Sequence, residues 1–313
     1  MEEGDVLAGR WHDPASGDEL FLDYCERWLE GRASQVAGKT DYNTEVLLRG
    51  RILPAFGDKR LKQITTAGVR EWQTLLLRKG LSPATVRTYR QILGQVLRQA
   101  VADGLLLTNP VEGVRTPTVR PRRQLFLTAE DLERLAAAAG GYGPLVWLLG
   151  WSGLRFGEAA ALRAGNIDAA RRRVRVEESV TEVGGRLEFG PPKTYESRTV
   201  IVPGFVIERI APLLEGRDRG DLVFTAPQGG PLRLGNFRRR VFASAAVAIG
   251  KPDLLPHDLR DTAASLAISS GASIKAVQRM LGHASAAMTL DVDGSLFEED
   301  LEALADRIEE RFG

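Results

Sequence analysis

One segment of the chain lacks apolar periodicity and separates two regions that have it. Residues 114–124, VRTPTVRPRRQ, combine two prolines with four arginines, which is typical of a linker. The chain has 313 residues, of which 43% are hydrophobic, enough for more than one core. The sequence therefore predicts two domains, residues 18–113 and 125–313, joined by a basic linker over 114–124.

The first predicted domain has the apolar spacing of four helices between residues 18 and 104. The second helix is expected to stop at Pro54, because proline lacks the N–H that a helix interior needs. The fourth has the clearest start, with Ser82 suited to the N-cap and Pro83 to the first helical position. On this helix five apolar residues are predicted to face the core and three arginines to turn outward: Val86, Tyr89, Ile92, Leu93 and Val96, against Arg87, Arg90 and Arg98.

The second predicted domain is mainly helical. A capping box at Thr128-Ala-Glu-Asp131 begins one helix, and the apolar run PLVWLLGWSG follows it. Alternating Val and Ile residues in RRRVRVEES, GRLEFG and RTVIVP predict short strands, of which the last two form a hairpin through residues 191–194. The expected fold class is therefore mainly α, with a small antiparallel β-sheet in the second domain.

The formal net charge of +1 conceals an uneven distribution of charge. Residues 32–123 carry seventeen Lys and Arg against six Asp and Glu, whereas residues 1–31 and 291–313 each carry nine acidic residues against two arginines. A basic block between acidic ends is typical of a surface that binds a polyanion. The alternative is a solvated, arginine-rich surface that reflects a GC-rich genome.

The chain has a single cysteine, Cys25, so it cannot form an internal disulfide framework. It also has no Cys/His cluster with the spacing of metal ligands, so neither a metal nor another cofactor is expected. Cys25 lies at helical spacing from Phe21 and Leu29, which predicts a core position. Since no apolar run approaches the roughly 20 residues of a membrane helix, we expect no membrane partner and a cytoplasmic location.

Residues suited to holding a phosphate group recur in order along the second domain. Arg155 lies in GLRFGE, directly after the apolar run, and Lys193 lies in the predicted hairpin. His257 and Arg260 are three residues apart, which puts both on one face of a helix. His283 follows in the tripeptide LGH. Each motif alone is weakly specific, whereas the ordered set is highly specific.

In this order and spacing the motifs resemble the tyrosine recombinase (phage integrase) family, and the resemblance covers residues 18–313. It implies a SAM-like core-binding domain at 18–113 and a catalytic domain at 125–313, which form a C-shaped clamp on duplex DNA. It also implies a homo-oligomer of up to four copies on DNA. Residues 1–17 resemble the junction after an arm-type DNA-binding domain, and we interpret them as a remnant of that linker, as in a decaying prophage or mobile element.

The resemblance implies a role for each residue of the set. Arg155 and Arg260 would hold the non-bridging oxygens of the scissile phosphate, and His283 would add a hydrogen bond to them. Lys193 would protonate the departing 5′ oxygen, and His257 would assist proton transfer. These roles for the arginines fit the chemistry of phosphoryl transfer. Its transition state spreads negative charge over the non-bridging oxygens, and guanidinium groups bind such oxygens through paired hydrogen bonds.

Two further expectations concern residues around this set. Glu158, one helical turn after Arg155, is expected to orient Arg155 or to cap the local helix. Arginines elsewhere are candidate contacts to the DNA backbone, with simple solvation as the alternative. They are Arg87 and Arg90 in the first domain, Arg120, Arg122 and Arg123 in the linker, and Arg238 and Arg239 in the second domain.

The sequence departs from the family at the nucleophile. The family has a tyrosine about ten residues after the LGH histidine, whereas this chain has Asp293 there, and its last tyrosine is Tyr195. A carboxylate repels a phosphate, and an acyl phosphate would be labile. We therefore expect cleavage and rejoining through a 3′-phosphotyrosine to be lost or impaired. Alternatives are a displaced Tyr195 nucleophile, and a non-catalytic protein that occupies attachment-like sites and blocks or partners an active recombinase.

Overall fold

The computed structural model describes residues 17–33, 38–119, 122, 124–192, 197–282 and 309. The chain divides into two compact units, Met1–Arg122 and Arg123–Gly313. Each unit has its own hydrophobic core. Within the described ranges, no helix is both long and apolar enough to cross a bilayer.

The described part of the first unit is helical. Its helices are α1 (Phe21–Ala33), α2 (Gly38–Leu47), α3 (Leu53–Phe56), α4 (Thr66–Arg78) and α5 (Pro83–Ala102), with a short 3-10 turn at Leu61–Gln63. The five apolar residues predicted to face the core on α5 are all buried, which confirms that part of the helix pattern. Cys25 is also buried, as its spacing predicts.

The helical path does not stop at Pro54. A π turn at Leu48–Ile52 joins α2 to α3, and Pro54 lies in the first turn of α3. Proline is tolerated in a first turn, because the N–H that it lacks would have no intrahelical partner there, and the wider π turn interrupts the regular ladder just before it. Burial of Ile52 and Phe56 in the core keeps the segment in place. The prediction of a stop at Pro54 is therefore wrong.

Helix α5 begins as its sequence predicts. The Oγ of Ser82 accepts a hydrogen bond from the N–H of Thr85 at 3.2 Å, and Pro83 follows as the first helical residue. We expect Ser82→Ala to lower the free energy of unfolding of this unit by about 1 kcal/mol. Amide hydrogen exchange along residues 83–102 measures the change, with Ser244→Ala in the second unit as the control. Equal protection of α5 in both variants would show that the cap contributes nothing.

A segment after α5 folds back onto this helix and changes the role of one arginine. The side chain of Asn109 donates to the carbonyl of Gly94 at 3.0 Å and accepts from the N–H of Val111 at 3.0 Å. Arg90 Nη2 then donates to the carbonyls of Val111 and Val114, at 2.8 and 2.9 Å. The prediction that Arg90 turns outward is therefore wrong, because its guanidinium satisfies backbone carbonyls. Arg87 and Arg98 are exposed, as predicted.

The second unit is built around a buried helix. Its helices are α6 (Ala129–Ala138), α7 (Gly143–Ser152), α8 (Phe156–Ala160), α9 (Gly204–Ile210), α10 (Leu234–Phe237), α11 (Ala243–Ala248), α12 (Asp258–Ser269) and α13 (Ile274–Leu281), with a π turn at Arg238–Phe242 between α10 and α11. Of the capping box predicted for α6, the structure shows the bond in which Thr128 Oγ1 accepts from the N–H of Asp131 at 3.1 Å, whereas the Asp131 carboxylate pairs with Arg134 and Lys251. Helices α6, α9 and α12 pack on α7, which is apolar on all sides.

The described part of the second unit also contains five short strands: β1 (Ile167–Asp168), β2 (Arg173–Val176), β3 (Ser179–Val183), β4 (Arg186–Gly190) and β5 (Arg198–Ile201). They form two antiparallel sheets, β1-β2-β5 and β3-β4. The predicted fold class, mainly α with small antiparallel sheets, is confirmed.

The predicted strand pairing is wrong. The sequence favours a hairpin of GRLEFG with RTVIVP, but β4 pairs with β3 and β5 pairs with β2. Gly184 and Gly185 have φ values of 54° and 79°, which suit the two-residue turn that joins β3 to β4. Val174 lies opposite Val200, and both are buried, so the core selects β2 as the partner of β5.

Candidate functional site

The turn between α7 and α8 sets the position of Arg155. Gly153 ends α7 in the left-handed region at φ 66°, and a Cβ there would lie 2.5 Å from Leu281 Cδ2, so glycine is required. Arg155 then has extended backbone angles at the N-cap of α8. Its side chain is 22% exposed. The turn therefore leaves this guanidinium partly accessible at the start of a helix.

Glu158 lies beneath Arg155 and is fully saturated with hydrogen bonds. Its Oε2 accepts from the backbone N–H of Arg155 at 2.9 Å, and its Oε1 accepts from Arg155 Nη1 at 3.0 Å. Arg198 binds the same carboxylate with two bonds, Nη1 to Oε1 at 2.9 Å and Nη2 to Oε2 at 2.7 Å. A carboxylate offers about four acceptor positions, and all four are used. The sequence predicts that Glu158 either orients Arg155 or caps the local helix, and the structure shows that it does both.

The pKa of Glu158 reflects this environment. Burial alone would raise it, because desolvation disfavours the charged carboxylate. The hydrogen bonds and positive charge of Arg198, together with those of Arg155, outweigh burial and hold the pKa below its ordinary value. Glu158 is therefore an anion at neutral pH and compensates part of the arginine charge.

Arg260 lies in the first turn of α12 and is 3% exposed. Its Nη1 donates to the carbonyl of Gly153, and its Nη2 donates to the carbonyl of Leu281 at 2.6 Å. Burial lowers the pKa of this guanidinium to about 9, and the positive charges of Arg155 and Arg198 act in the same direction. Arg260 therefore stays charged at neutral pH while it ties the end of α7 to the end of α13.

These four residues, Arg155, Glu158, Arg198 and Arg260, are called the arginine cluster below. It contains three guanidinium groups and one carboxylate, so it has an excess of positive charge in a largely buried position. Such an excess is stabilised by an anion, and planar guanidinium groups suit the oxygens of a phosphate. Among the described residues, no group of His, Cys, Asp and Glu side chains has the arrangement of a metal site.

The structure brings together part of the predicted phosphate-holding set. Arg155 and Arg260 both belong to the arginine cluster. His257 immediately precedes α12 and is exposed, and its carbonyl accepts from the N–H of Arg260 at 3.0 Å. Lys193, His283 and Asp293 lie outside the described residues, as does the alternative nucleophile, Tyr195.

The candidate DNA-contacting arginines have different environments. Arg87 on α5 and Arg122 are exposed, whereas Arg90 binds backbone carbonyls within the first unit. Arg238 and Arg239 are exposed in the π turn before α11. Arg239 donates to the carbonyl of Gly235 and to Oδ1 of Asn236, both at 3.2 Å. Arg120 and Arg123 lie outside the described residues.

Arg198 is absent from the set of residues that the sequence predicts for the site. The segment RTVIVP predicts a strand, and its alternation puts Arg198 on the same face as Val200 and Val202, which are buried. A charged residue at a core-facing position needs a buried partner of opposite charge. That signal pointed to an ion pair inside the domain, but it could not identify Glu158, which lies 40 residues earlier.

Two family models match the chain: the phage integrase family over residues 126–292, and the phage integrase N-terminal SAM-like domain over residues 20–77. The putative prophage phiRv2 integrase of Mycobacterium tuberculosis (strain CDC 1551 / Oshkosh) is 31% identical over 290 residues, covering 88% of this chain and 76% of the relative. The integrase of Mycobacterium phage D29 is 31% identical over 321 residues, covering 100% of this chain and 84% of the relative.

Solved structures share the fold. The Tn1549 transposon integrase in complex with transposon right end DNA matches with a TM-score of 0.76 and 19% identity, over 93% of this chain and 100% of that one. The lambda integrase tetramer bound to a Holliday junction matches with a TM-score of 0.67 and 21% identity, over 92% of this chain and 83% of that one. On the family models and the relatives together, this chain belongs to the phage integrase (tyrosine recombinase) family.

Proposed function

We propose that this protein binds duplex DNA at a specific site and holds one backbone phosphate in the arginine cluster. The observation that carries the proposal is the cluster itself, in which Glu158 orients Arg155 while leaving part of its guanidinium accessible. The relatives are named as integrases, and the two solved structures are complexes with DNA. These names and complexes support duplex DNA as the partner.

We assign the parts of the chain accordingly. Residues 18–113 are the core-binding domain, 114–124 the linker and 125–313 the catalytic domain. Exposed Arg87, Arg238 and Arg239 contact the DNA backbone, and the linker arginines add further contacts. The protein acts on DNA in the cytoplasm as an oligomer of identical copies, which the lambda integrase tetramer supports.

The mechanism follows from charge. In the family reaction an attacking oxygen bonds to phosphorus while the bond to the 5′ oxygen breaks, and negative charge grows on the non-bridging oxygens. Arg155 would stabilise that charge through its accessible N–H groups, and Arg260 would add a fixed positive charge from beneath. His283 would add a hydrogen bond, Lys193 would give its proton to the 5′ oxygen, and His257 would assist that transfer.

Asp293 changes the outcome of this reaction. It has no phenol oxygen to attack phosphorus, and its negative charge competes with the phosphate for the arginines. We therefore propose that the protein binds and grips DNA but has lost, or retains only weakly, the ability to form a phosphotyrosine bond.

A second candidate function rests on the same pair of observations. The hydrogen bonds of the arginine cluster are formed, yet the position at which the family has a tyrosine is occupied by Asp293. A protein with both features can occupy attachment-like sites, where it blocks an active recombinase or joins it as a non-cleaving subunit. Titration of this protein into a reaction of an active relative on one DNA site tests this role. Unchanged turnover at saturating occupancy would argue against it.

Selection from a pool of random-sequence duplexes tests the proposed function, because a site-specific protein enriches a common sequence. Affinity for the enriched duplex should fall by about 10³-fold between roughly 50 and 200 mM salt if about six phosphates are contacted. At a given salt concentration, Arg155→Ala should weaken binding of the enriched duplex. The matched control is Arg171→Ala, which removes an exposed arginine paired with Asp168. Absence of enrichment, or an affinity that does not depend on salt, would contradict the proposal.

A further inference from the structure

Arg198 binds the same carboxylate, that of Glu158, as Arg155. Its side chain is only 11% exposed, and both terminal nitrogens are committed to the carboxylate. Arg155 therefore shares Glu158 with a competitor that occupies one position on each oxygen. This sharing limits the side chain of Arg155 to a single hydrogen bond with Glu158, through Nη1.

Arg198 also contacts the turn that ends α13. Gly282 has a φ of 66°, in the left-handed region, and a Cβ there would lie 2.9 Å from Arg198 Cδ and 3.0 Å from its Nε. The preceding carbonyl, of Leu281, accepts from Arg260 Nη2. The two arginines therefore bracket the Leu281–Gly282 turn, and glycine is needed there both for its backbone angle and for the space that Arg198 fills.

We propose that Arg198 is a positioning residue for phosphate binding. It fills acceptor positions of Glu158, so that Arg155 keeps N–H groups for a phosphate. It also packs on Gly282 and so holds that turn beside the Glu158 carboxylate. This proposal rests on the proposed function. Without Arg198, two acceptor positions of the buried carboxylate become vacant. Arg155, which is already bonded to Glu158, then fills these vacant positions by turning its guanidinium inward, away from a ligand.

Chemical modification of arginine by phenylglyoxal tests the proposal on the protein as it exists. Peptide mass spectrometry follows the modification rate of Arg155 with increasing amounts of the enriched duplex. In the unaltered protein the duplex should protect Arg155. In Arg198→Met, the same protection of Arg155 should require at least about tenfold more duplex. This is the change expected when one charge-assisted hydrogen bond to a positioned group is lost.

Two further variants make the test specific. Arg198→Lys keeps the charge but cannot bind both carboxylate oxygens at once, so we expect an intermediate loss of protection. It also serves as the test variant if Arg198→Met does not fold. Arg209→Met is the control. It removes an arginine whose Cζ lies 4.0 Å from the centroid of the Trp147 ring, and it should leave protection of Arg155 unchanged.

The outcomes separate this proposal from the function on which it rests. If the duplex fails to protect Arg155 in the unaltered protein, the proposed phosphate site is wrong. If Arg155 is protected there and equally well in the folded Arg198 variants, Arg198 does not position Arg155. A lower melting temperature with unchanged protection would assign Arg198 a purely structural role and would overturn the proposal.

Discussion

Asp293→Tyr is expected to form a covalent protein–DNA adduct that the unaltered protein does not form. The substitution replaces a carboxylate, which repels the phosphate, with a phenol that can attack it. Arg155 and Arg260 are the residues that we propose to stabilise the growing negative charge, and Glu158 already orients Arg155. The nucleophile is therefore the component that the substitution restores.

A nicked form of the enriched duplex measures this adduct, because loss of the short strand beyond the nick traps the covalent product. Denaturing electrophoresis then separates adduct from free protein. Asp293→Phe has a ring of similar size without the hydroxyl and should give no adduct. Tyr195→Phe in the unaltered protein tests the displaced nucleophile. An adduct from the unaltered protein that Tyr195→Phe abolishes would show that Asp293 does not disable the site.

Glu158→Ala is expected to destabilise the second unit by about 3–5 kcal/mol, because it leaves Arg155 and Arg198 without the buried carboxylate that compensates their charge. Hydrogen exchange along α7 measures this unit separately from the first. Glu182→Ala is the matched control, since the ion pair of Glu182 with Arg233 is partly exposed and should contribute at most about 1 kcal/mol. Equal effects of the two substitutions would contradict the account of the cluster.

The contribution of Glu158 should also depend on pH. Its pKa in the folded state is lowered, so its stabilising effect is complete above the ordinary carboxyl range and is lost as pH falls through the folded-state value. The stability difference between the unaltered protein and Glu158→Gln should therefore shrink in acid. A difference that grows as pH falls would mean that the carboxylate is not held as an anion by the arginines.

Local signals in the sequence predicted the local structure well. Ser82 and Pro83 fix the start of α5, and the i, i+3 spacing of Arg155 and Glu158 predicted their contact, because capping and helical spacing act over one turn. Pro54 was misjudged because a π turn can absorb a proline inside a continuous helical path. Lys193, His283 and Asp293 stay predictions that rest on the motifs.

Contacts between distant segments could not be predicted in the same way. Arg90 turns inward because residues 109–114 fold back onto α5, and β5 pairs with β2 because both contribute valines to one core. The partner of Arg198 depends on that pairing, which brings the first residue of β5 to Glu158. Neither the strand register nor the return of the chain is encoded within a short window of sequence.

If the arginine cluster binds a DNA phosphate, it should also stabilise that phosphate during strand cleavage once a nucleophile is restored. The most direct measurement is the initial rate of adduct formation on the nicked duplex by Asp293→Tyr, with and without Arg155→Lys. Lysine keeps the charge but loses the planar pair of donors, so we expect the rate to fall by about 10² to 10³-fold, as for loss of one oriented donor to a transition-state oxygen. Rates within twofold of each other would contradict the claim.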